Sequence, residues 1–571
     1  MKAKDVQVFP LAPQTFVLRS RTWERLKFEI EYGLQRGTTA NAFLIEAEKL
    51  ALFDPPGESF SEIFLQALQS RWDLQQLDYL ILGHINPNRA VTIKALLSLA
   101  PHLTLVCSNP AAQSLEKLLE EQPYKIKIIK GEDRLDLGQG HQLEFIPTPN
   151  PRFPDQLCTY DPQTEILFTD KLFGAHVCGD QVLDEGWTVY NEDRRYYFDC
   201  LLAPSAKQVT NALDKLGSKI AHLYAPGHGP LVKYGLQELT NAYRQWLQEQ
   251  QSKDLSVALI YASAYGNTAT LAQAIARGIT KAGVSVESIN AEITESEEIK
   301  SAISQSAGFI FGSPTLGGHA PTPIQTALGI TLANAEKSQL CGVFGSFGWS
   351  GEAIDLLENK FRDAGYRFGF ETIRVKFKPT EQTLKLCEEA GTDFAQALKK
   401  VQRSRQPKAS VSESQSARTE QALGRIVGSL CIVTTSQGEV KGAMLASWVA
   451  QATFTPPGLT IAVAKERAIE SLLYNHSHFV LNILPEGKHL SLMKHFLKPF
   501  APGEDRFVGV ETETADNGAP ILKEALAYLE CTVQNRMECG DHWIIYVTIA
   551  CGKVLNEGLT AVHHRKSGSY Y

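Results

Sequence analysis

The sequence predicts a multidomain α/β protein whose last part is mostly β-structure. Its 571 residues exceed what one hydrophobic core usually organises. In the middle of the chain, a short apolar run typical of a buried parallel strand is followed by helical periodicity. After residue 423 the pattern changes to alternating β-branched residues punctuated by Gly and Pro, which favours short antiparallel strands.

Two polar stretches divide the chain. Residues 248–256 read QEQQSKDLS and precede an apolar run. Residues 403–420 read RSRQPKASVSESQSARTE, and a segment with so little to bury is typical of a flexible linker. We therefore predict three domains, at about residues 1–252, 253–402 and 421–571, with the linker before the third.

Composition excludes several functional classes. A net charge of -7 and the lack of a lysine-rich run argue against nucleic acid and anionic membranes, so small molecules or proteins are the expected partners. The amino terminus has no signal-peptide core, and no stretch approaches the roughly 18 apolar residues of a membrane span. The ten cysteines form no C-x-x-C pair, which favours a reducing cytoplasm over a disulfide framework.

The middle block opens with a candidate phosphate site. Residues 257–261 are apolar, residues 269–279 are helical in period, and the turn between them offers hydroxyls, a glycine and a helix N-terminus. No residue of the turn is cationic, which suits a monophosphate. A well-capped helix start would have the same pattern, and that alternative stays open. The candidate residues are Ser263, Tyr265, Gly266, Asn267 and Thr268.

Two later strand ends strengthen this assignment. In doubly wound sheets, ligands bind at the carboxyl ends of strands, where these loops would meet. With all three loops in order, the block resembles a flavodoxin domain, and the resemblance implies one FMN, single-electron transfer, and a flavin ring flanked by Trp349 or Phe347. The further candidates are Ser313, Pro314, Thr315, Leu316 and Gly317 in one loop, and Ser346, Phe347, Gly348, Trp349 and Gly351 in the other.

The first block carries polar residues after several apolar segments. In order and spacing they resemble the metal-ligand loops of the metallo-β-lactamase-like, αββα domain of flavodiiron proteins, which directly precedes a flavodoxin domain. By that resemblance His84 and His228 keep their roles. The family's other ligands are replaced: a Glu by Asn86, an Asp by Asn88, two His by Arg89 and Arg152, and the bridging Asp by Lys171.

The replacements change the chemistry of this pocket. Two irons need anionic oxygen ligands, whereas Arg only donates hydrogen bonds and Lys coordinates only after losing its proton. We therefore expect no diiron centre, and ion pairs of the new cations with Asp155 or Asp170, bound water or a small anion. Two alternatives stay open: loss of the site by sequence drift, and one metal on His84, His228 and Asp170. Strand alternation argues against the latter, since it predicts that Asp170 points away from the position of Lys171.

The last block predicts a small split β-barrel. Its segments 429–435, 441–448 and 459–465, the Gly540-Asp541-His542 turn and the tail 563–566 resemble the flavin-binding barrel of NAD(P)H:flavin reductases. The resemblance implies a second FMN or FAD with NAD(P)H as donor, while a barrel without cofactor remains an alternative. The residues it implicates are Met444, Ala446, Ser447, Trp448 and Thr453 at the flavin, Lys465 at its phosphate, and His564 near the nicotinamide.

The order of the three blocks resembles the flavodiiron proteins of oxygenic photosynthetic organisms, in the subgroup with non-standard iron ligands. The resemblance implies electron flow from NAD(P)H through the flavins to a diiron centre that reduces O2 to water, and head-to-tail dimers. The leading hypothesis is an electron-transferring subunit paired with a ligand-complete paralogue. Two others stay open: a self-sufficient O2 or NO reductase using residual metal or flavin alone, and a non-catalytic regulatory subunit. NADH and NADPH are not distinguished, and neither are homodimer and heteromer.

Overall fold

The computed structural model of the protein describes residues 3–24, 36–119, 122–130, 132–405 and 415–565. The central part of the predicted linker and Lys566 of the tail lie outside these residues. The chain forms two compact units. One comprises Met1–Tyr261, Ser285–Gln305 and Gly329–Asn334, and the other comprises Ala262–Val284, Ser306–Leu328 and Ala335–Tyr571.

The amino-terminal part is built on two sheets. The first has seven strands in the order β1 to β7: Asp5–Ala12, Thr15–Thr22, Thr38–Glu46, Leu50–Phe53, Leu77–Ile81, Thr104–Cys107 and Lys125–Ile128. The second has five, in the order β12-β11-β10-β9-β8, where β8 to β12 are Arg134–Asp136, Gln142–Pro147, Leu157–Asp161, Ile166–Asp170 and Leu223–Pro226.

Side-chain alternation along the strands builds the layers. Phe43 and Ile45 of β3 join the core between the sheets, where the Phe43 and Phe168 rings lie 5.1 Å apart, whereas Ala42 and Leu44 face the helices. The result is the predicted αββα arrangement. Helices α1 to α3 are Ser61–Gln69, Ala90–Leu99 and Asn109–Leu118, and α4 to α6 are Asn191–Leu201, Ala206–Leu216 and Leu236–Gln251.

The middle part contains a six-stranded sheet in which β14-β13-β15-β16-β17 are neighbours and β18 pairs with β16. Its β13 to β18 are Ser256–Tyr261, Ser285–Asn290, Gly308–Pro314, Leu340–Phe347, Arg367–Phe368 and Ile373–Lys376. The helices α7 to α11 are Asn267–Lys281, Ser296–Gln305, Thr322–Asn334, Glu352–Asp363 and Glu381–Arg405. Parallel pairing and alternating helices make this the predicted doubly wound fold.

Helices α7 and α11 touch backbone to backbone. A Cβ atom added to Gly278 of α7 would lie 1.9 Å from the Glu388 carbonyl oxygen, and one added to Gly391 of α11 would lie 2.1 Å from the Ile275 carbonyl oxygen. The Thr392 hydroxyl also donates to the Gly278 carbonyl at 3.2 Å. Only glycine fits at either position of this contact.

The carboxyl-terminal part is the predicted β-barrel. Seven antiparallel strands follow the order β21-β20-β24-β27-β28-β23-β22, and their inward side chains form one core. Helix α12 is Gln415–Leu423 and α13 is Leu490–Leu497, and β19 to β29 are Gly428–Ser429, Cys431–Gln437, Val440–Ala446, Val449–Phe454, Pro457–Ala464, His478–Ile483, Thr512–Thr514, Pro520–Leu522, Ala527–Cys539, His542–Val554 and Val562–His563.

Short 3-10 helices complete the described structure: Glu58–Phe60, Leu74–Gln76, Pro87–Arg89, Trp187–Tyr190, Ala203–Ser205 and Ala468–Leu472. Among the described residues, every helix is too short or too polar to cross a membrane.

Candidate functional site

Three loops of the second unit meet at Ser346. We name them the first loop (263–268), the second loop (313–318) and the third loop (346–351). The hydroxyls of Thr268 and Ser346 lie 2.8 Å apart, which ties the first loop to the third. The Thr315 amide donates to the Ser346 carbonyl at 3.1 Å and ties the second loop to the third. The convergence predicted for the carboxyl ends of these strands is therefore present.

The first loop presents the N-terminus of the fifteen-residue helix α7. Gly266 immediately precedes the helix with a φ of 80°, a left-handed conformation that favours glycine. The Ser263 hydroxyl accepts a hydrogen bond from the Ala269 amide at 3.1 Å, and Asn267 begins the helix. Amides of the first turn and the helix dipole suit a phosphate without any cationic side chain.

The second loop is a tight glycine turn. Gly317 and Gly318 both have positive φ, and the backbones of Leu316 and His319 exchange hydrogen bonds of 3.0 Å across the turn. The Thr315 hydroxyl is buried and, among the described residues, has no hydrogen-bond partner. The hydroxyl of Ser313, by contrast, already donates to the carbonyl of Pro314 at 2.8 Å.

Exposed aromatic rings border the loops. Trp349 of the third loop is 91% exposed and Tyr265 of the first loop is 85% exposed. The Phe377 amide donates to the Phe347 carbonyl at 2.8 Å, and the Phe377 ring lies 6.5 Å from Trp349. Gly348 and Gly351 leave the backbone around Trp349 open, since added Cβ atoms there would make only ordinary contacts at 3.6 Å.

These features fit a flavin mononucleotide. The helix N-terminus suits its phosphate, and a flat aromatic ring system suits Trp349 and Tyr265. The Thr315 hydroxyl of the second loop, buried and without a partner among the described residues, is an unused hydrogen-bonding group. Sequence reasoning did not identify Phe377, whose position follows from the β16–β18 pairing and not from local pattern.

The amino-terminal part places the replaced ligand positions in a buried charged pocket. Arg89 is buried, and it donates to the Asp54 carboxylate at 2.8 Å, to the His84 carbonyl at 2.8 Å and to Asp170 at 3.5 Å. Lys171 lies 3.8 Å from the same Asp170 oxygen. The prediction that the new cations pair with Asp170 is therefore confirmed for Arg89 and Lys171.

Asp54 is a member of this pocket that sequence reasoning missed. Burial, with the neighbouring Asp170 carboxylate, raises the pKa of Asp54 to about 6, and Arg89 opposes that shift. The Gly83 amide donates to the Asp54 carboxylate at 2.9 Å. A signal existed, because Asp54 directly follows the buried strand β4, as catalytic and ligand residues often do.

The prediction for Asp170 was wrong. Strand alternation placed its side chain away from the Lys171 position, yet both side chains enter the same pocket. Asp170 is the last residue of β11 and has a φ of 44°, so the extended backbone on which alternation depends ends there.

The two retained histidines are engaged separately. The His84 imidazole is 2.7 Å from the Asp155 carboxylate, whose other oxygen accepts from the Ile85 amide. Burial acts to raise the pKa of Asp155, but the charge and hydrogen bond of His84 outweigh burial and lower it. His228 is buried, with Nδ1 2.7 Å from the Thr39 carbonyl oxygen, and its ring lies 4.8 Å from His176.

The remaining replaced positions serve structural contacts. The Asn86 side chain accepts from the Asn88 amide at 3.2 Å and caps the 3-10 helix Pro87–Arg89, and the Asn88 side chain lies against Gly57. Arg152 donates to the Cys200 carbonyl at 3.4 Å. The Phe153 ring is approached by the retained His84 at 4.9 Å and by the replacements Arg152 at 5.5 Å and Lys171 at 5.6 Å.

The pocket does not fit a diiron centre. In the part of the chain that the structure describes, no three His, Cys, Asp or Glu side chains are placed to hold a metal ion. Its carboxylates instead face a guanidinium and an ammonium group, which are donors and not ligands.

Some of the barrel residues that were predicted to bind flavin or nicotinamide lie close together. The Ser447 hydroxyl lies 3.2 Å from the His563 imidazole, and the Trp448 ring lies 5.0 Å from His542 and 5.0 Å from the Arg565 guanidinium. His564 is exposed in the same tail. These contacts bring the end of β21 and the carboxyl-terminal tail together.

Other predicted barrel residues are engaged within the protein. Met444 and Ala446 are buried in the barrel core, so any contact with a ligand there falls to their backbone. The Thr453 hydroxyl donates to the Pro456 carbonyl at 2.7 Å. Lys465 forms an ion pair with Glu538 and lies 5.3 Å from the Trp543 ring centre. A phosphate at Lys465 would have to compete with Glu538.

Family models match three segments of the chain. They are described as ODP family beta lactamase (residues 38–229), flavodoxin (259–391) and flavin reductase like domain (423–569).

Among known proteins, the chain is 74% identical to a diflavin flavoprotein A 3 of Synechocystis sp., over 100% of this chain and 96% of that one. It is 46% identical to diflavin flavoprotein A 1 of the same organism, over 100% and 98%. A solved structure described as a metal-soaked Flv1 flavodiiron core from Synechocystis sp. matches with 75% identity and a TM-score of 0.67, covering 70% of this chain and 100% of that one.

Proposed function

Because the chain belongs to the diflavin flavoprotein A, or flavodiiron, family, we propose that it passes electrons from NAD(P)H through flavins towards O2, as the electron-transferring subunit of a complex. Family and domain content make it a flavin-dependent oxidoreductase. The iron that reduces O2 to water would belong to a ligand-complete relative.

One contrast carries this proposal. The three loops that suit FMN are complete, whereas the pocket of the amino-terminal part holds Arg89 between two buried carboxylates and Lys171 beside one of them. A chain that keeps its flavin loops without its metal ligands is suited to deliver electrons and not to complete the reduction of O2.

Different residues of the three loops would bind different parts of FMN. The helix α7 amides, with the Ser263 and Thr268 hydroxyls, would bind the phosphate, and the rings of Trp349 and Tyr265 would cover the flavin ring. FMN bound in these loops would pass electrons on one at a time. The exposed edge left by these aromatic rings would admit an electron acceptor.

The barrel would take a second flavin, FMN or FAD, and the donor NAD(P)H. Ser447 and Trp448, with the tail around His564, form the grouping on which this assignment rests. All ten cysteines are free thiols, which suits work in a reducing compartment such as the cytoplasm. We infer a head-to-tail assembly, with the paralogue or a second copy of this chain.

The test combines the metal and flavin content of the chain with its rates of NAD(P)H oxidation and O2 uptake. Metal and flavin content is measured on the purified chain, NAD(P)H oxidation and FMN reduction are followed by absorbance, and O2 uptake is measured with and without a ligand-complete relative. We expect about two flavins per chain by the family assignment, flavin reduction by NAD(P)H, and water production only with the relative added.

Each contrary result has a distinct meaning. Stoichiometric iron with water production by the chain alone would refute the proposal. Hydrogen peroxide from the chain alone would indicate direct oxidation of the flavins by O2. Flavins that NAD(P)H does not reduce would favour a regulatory subunit.

A further inference from the structure

A network of buried charges joins the doubly wound part of the second unit to the barrel. Its members are Lys281 at the end of α7, Lys385 and Glu388 on α11, Glu470 in the 3-10 helix Ala468–Leu472, and Arg536 on β27. The side chains of Lys281, Glu388 and Glu470 are 3%, 4% and 6% exposed. None of these residues belongs to the three loops or to the charged pocket.

Glu470 is the centre of the network. One carboxylate oxygen accepts from Arg536 at 2.5 Å, and the other lies 3.9 Å from the Lys281 ammonium. Burial acts to raise the pKa of Glu470, but Arg536, Lys281 and Arg277 outweigh it and hold the pKa at about 2. The carboxylate therefore depends on cations from both sides of the contact.

The flavodoxin-like part contributes two lysines and one glutamate to the network. Lys281 forms an ion pair with Glu388, and Lys385 lies 3.7 Å from the same carboxylate. Lys385 also donates to the Ala468 carbonyl and, at 2.5 Å, to the Ser471 hydroxyl, both in the barrel. Burial lowers the pKa of Lys385, which indicates an ammonium group withdrawn from water.

A second contact lies beside the network. Glu389 of α11 accepts from the Gly503 amide at 3.0 Å and lies 3.4 Å from the Arg506 guanidinium. The Leu386 side chain packs against Gly503, where an added Cβ would meet it at 2.9 Å. Residues 385, 386, 388 and 389 thus present little more than one turn of α11 to the barrel.

We propose that the end of α7 and this turn of α11 form a docking surface for the flavin reductase-like barrel of the same chain, so that both parts move as one body. The loop 263–268 lies at the opposite end of α7, about 20 Å away at 1.5 Å per residue. Tyr265 and Trp349 stay exposed in this docked arrangement. The barrel therefore docks without covering the loop edge that suits FMN.

The physical reason for a fixed arrangement is charge desolvation. Separating the two parts would leave Glu470 without Lys281 and expose a preformed cluster on each side. Buried ion pairs are weakened little by salt, whereas exposed pairs are screened. The docked state should therefore persist at ionic strengths at which exposed ion pairs are screened.

The test cuts the chain between the two parts. A specific protease site is placed within residues 406–414 of the full-length protein, the folded protein is cut, and the fragments are separated by gel filtration in 0.1 M and 0.5 M salt. We expect the wild-type fragments to elute together at both salt concentrations. Separate elution at 0.1 M salt would overturn the proposal.

Two charge-reversal variants test whether the buried network holds the two parts together. Lys281→Glu places a third carboxylate beside Glu388 and Glu470, and its fragments should elute separately. Lys399→Glu is the matched control, because Lys399 pairs with Glu466 at 3.9 Å on the exposed rim, and its fragments should stay together. Co-elution of the Lys281→Glu fragments would contradict the proposal.

A second variant covers failure of the first to fold. Lys281→Met removes the charge without adding repulsion, and we expect at least about tenfold weaker association of the cut fragments. An unchanged affinity would contradict the proposal. Bound flavin and circular dichroism confirm that each fragment remains folded. Association is measured independently of electron transfer, so its outcome does not depend on the function proposed above.

Discussion

Arg89 is expected to hold the charged pocket together, and the substitution Arg89→Met tests this. The change keeps much of the side-chain volume but leaves Asp54 and Asp170 facing each other without the guanidinium. Removing one partner of a buried ion pair costs about 3–5 kcal/mol. For a part of this size, that corresponds to a fall in melting temperature of about 6–20 °C.

The effect should depend on pH in a defined direction. The folded pKa of Asp54 is raised from 3.8 to about 6, so its contribution to stability is present below about pH 4 and is lost as pH rises through about 6. Without Arg89 the pKa rises further, because the cation that opposes the shift is gone. The variant should therefore lose more stability at pH 7.5 than at pH 5.0.

Thermal unfolding followed by circular dichroism at both pH values measures this. The matched control is Arg134→Met, which removes an exposed guanidinium 2.8 Å from Glu144 and should cost less than about 1 kcal/mol. The reasoning is refuted if both variants lower the melting temperature equally, or if the Arg89→Met deficit is not larger at pH 7.5.

Three further predictions concern the loops that suit FMN. Gly266→Ala forces a Cβ into a φ of 80°, and we expect a loss of about 1 kcal/mol with reduced bound flavin, measured by thermal unfolding and flavin absorbance. Thr315→Val removes a buried hydroxyl that has no partner among the described residues, so apoprotein stability should stay within about 0.5 kcal/mol while FMN affinity falls about fivefold or more in a fluorescence titration. Equal affinity would remove Thr315 from the site. Trp349→Ala alters a 91% exposed side chain, so the melting temperature should stay within about 2 °C, and a large fall would mean that the ring is structural.

The fold and the three loops could be predicted because their signals are local. Each loop lies at the carboxyl end of an apolar strand of six to eight residues, and a glycine marks the positive φ at Gly266 and at Gly317. Parallel strands bring their carboxyl ends to one edge, so sequence order alone implies that the loops meet.

The charged pocket was predictable only in part. Charge replacement at Arg89 and Lys171 indicated ion pairing, but the partner Asp54 lies at a different strand end, 35 residues before Arg89, and carries no motif. Asp170 was misjudged because a single backbone torsion ended the strand. Lys465 as a phosphate ligand stays a prediction, opposed by its ion pair with Glu538, which depends on the pairing of β27 with β28.

The glycine contact between α7 and α11 makes the position of each helix depend on the other. Since Gly278 meets the Glu388 carbonyl with no room for a methyl group, a substitution there would force α7 and α11 apart at residues 388–392. The same stretch of α11 carries Lys385, Glu388 and Glu389 towards the barrel. A packing defect between α7 and α11 would therefore displace the docking surface for the barrel. Mutations in the doubly wound part and in the barrel are thus coupled through this helix contact.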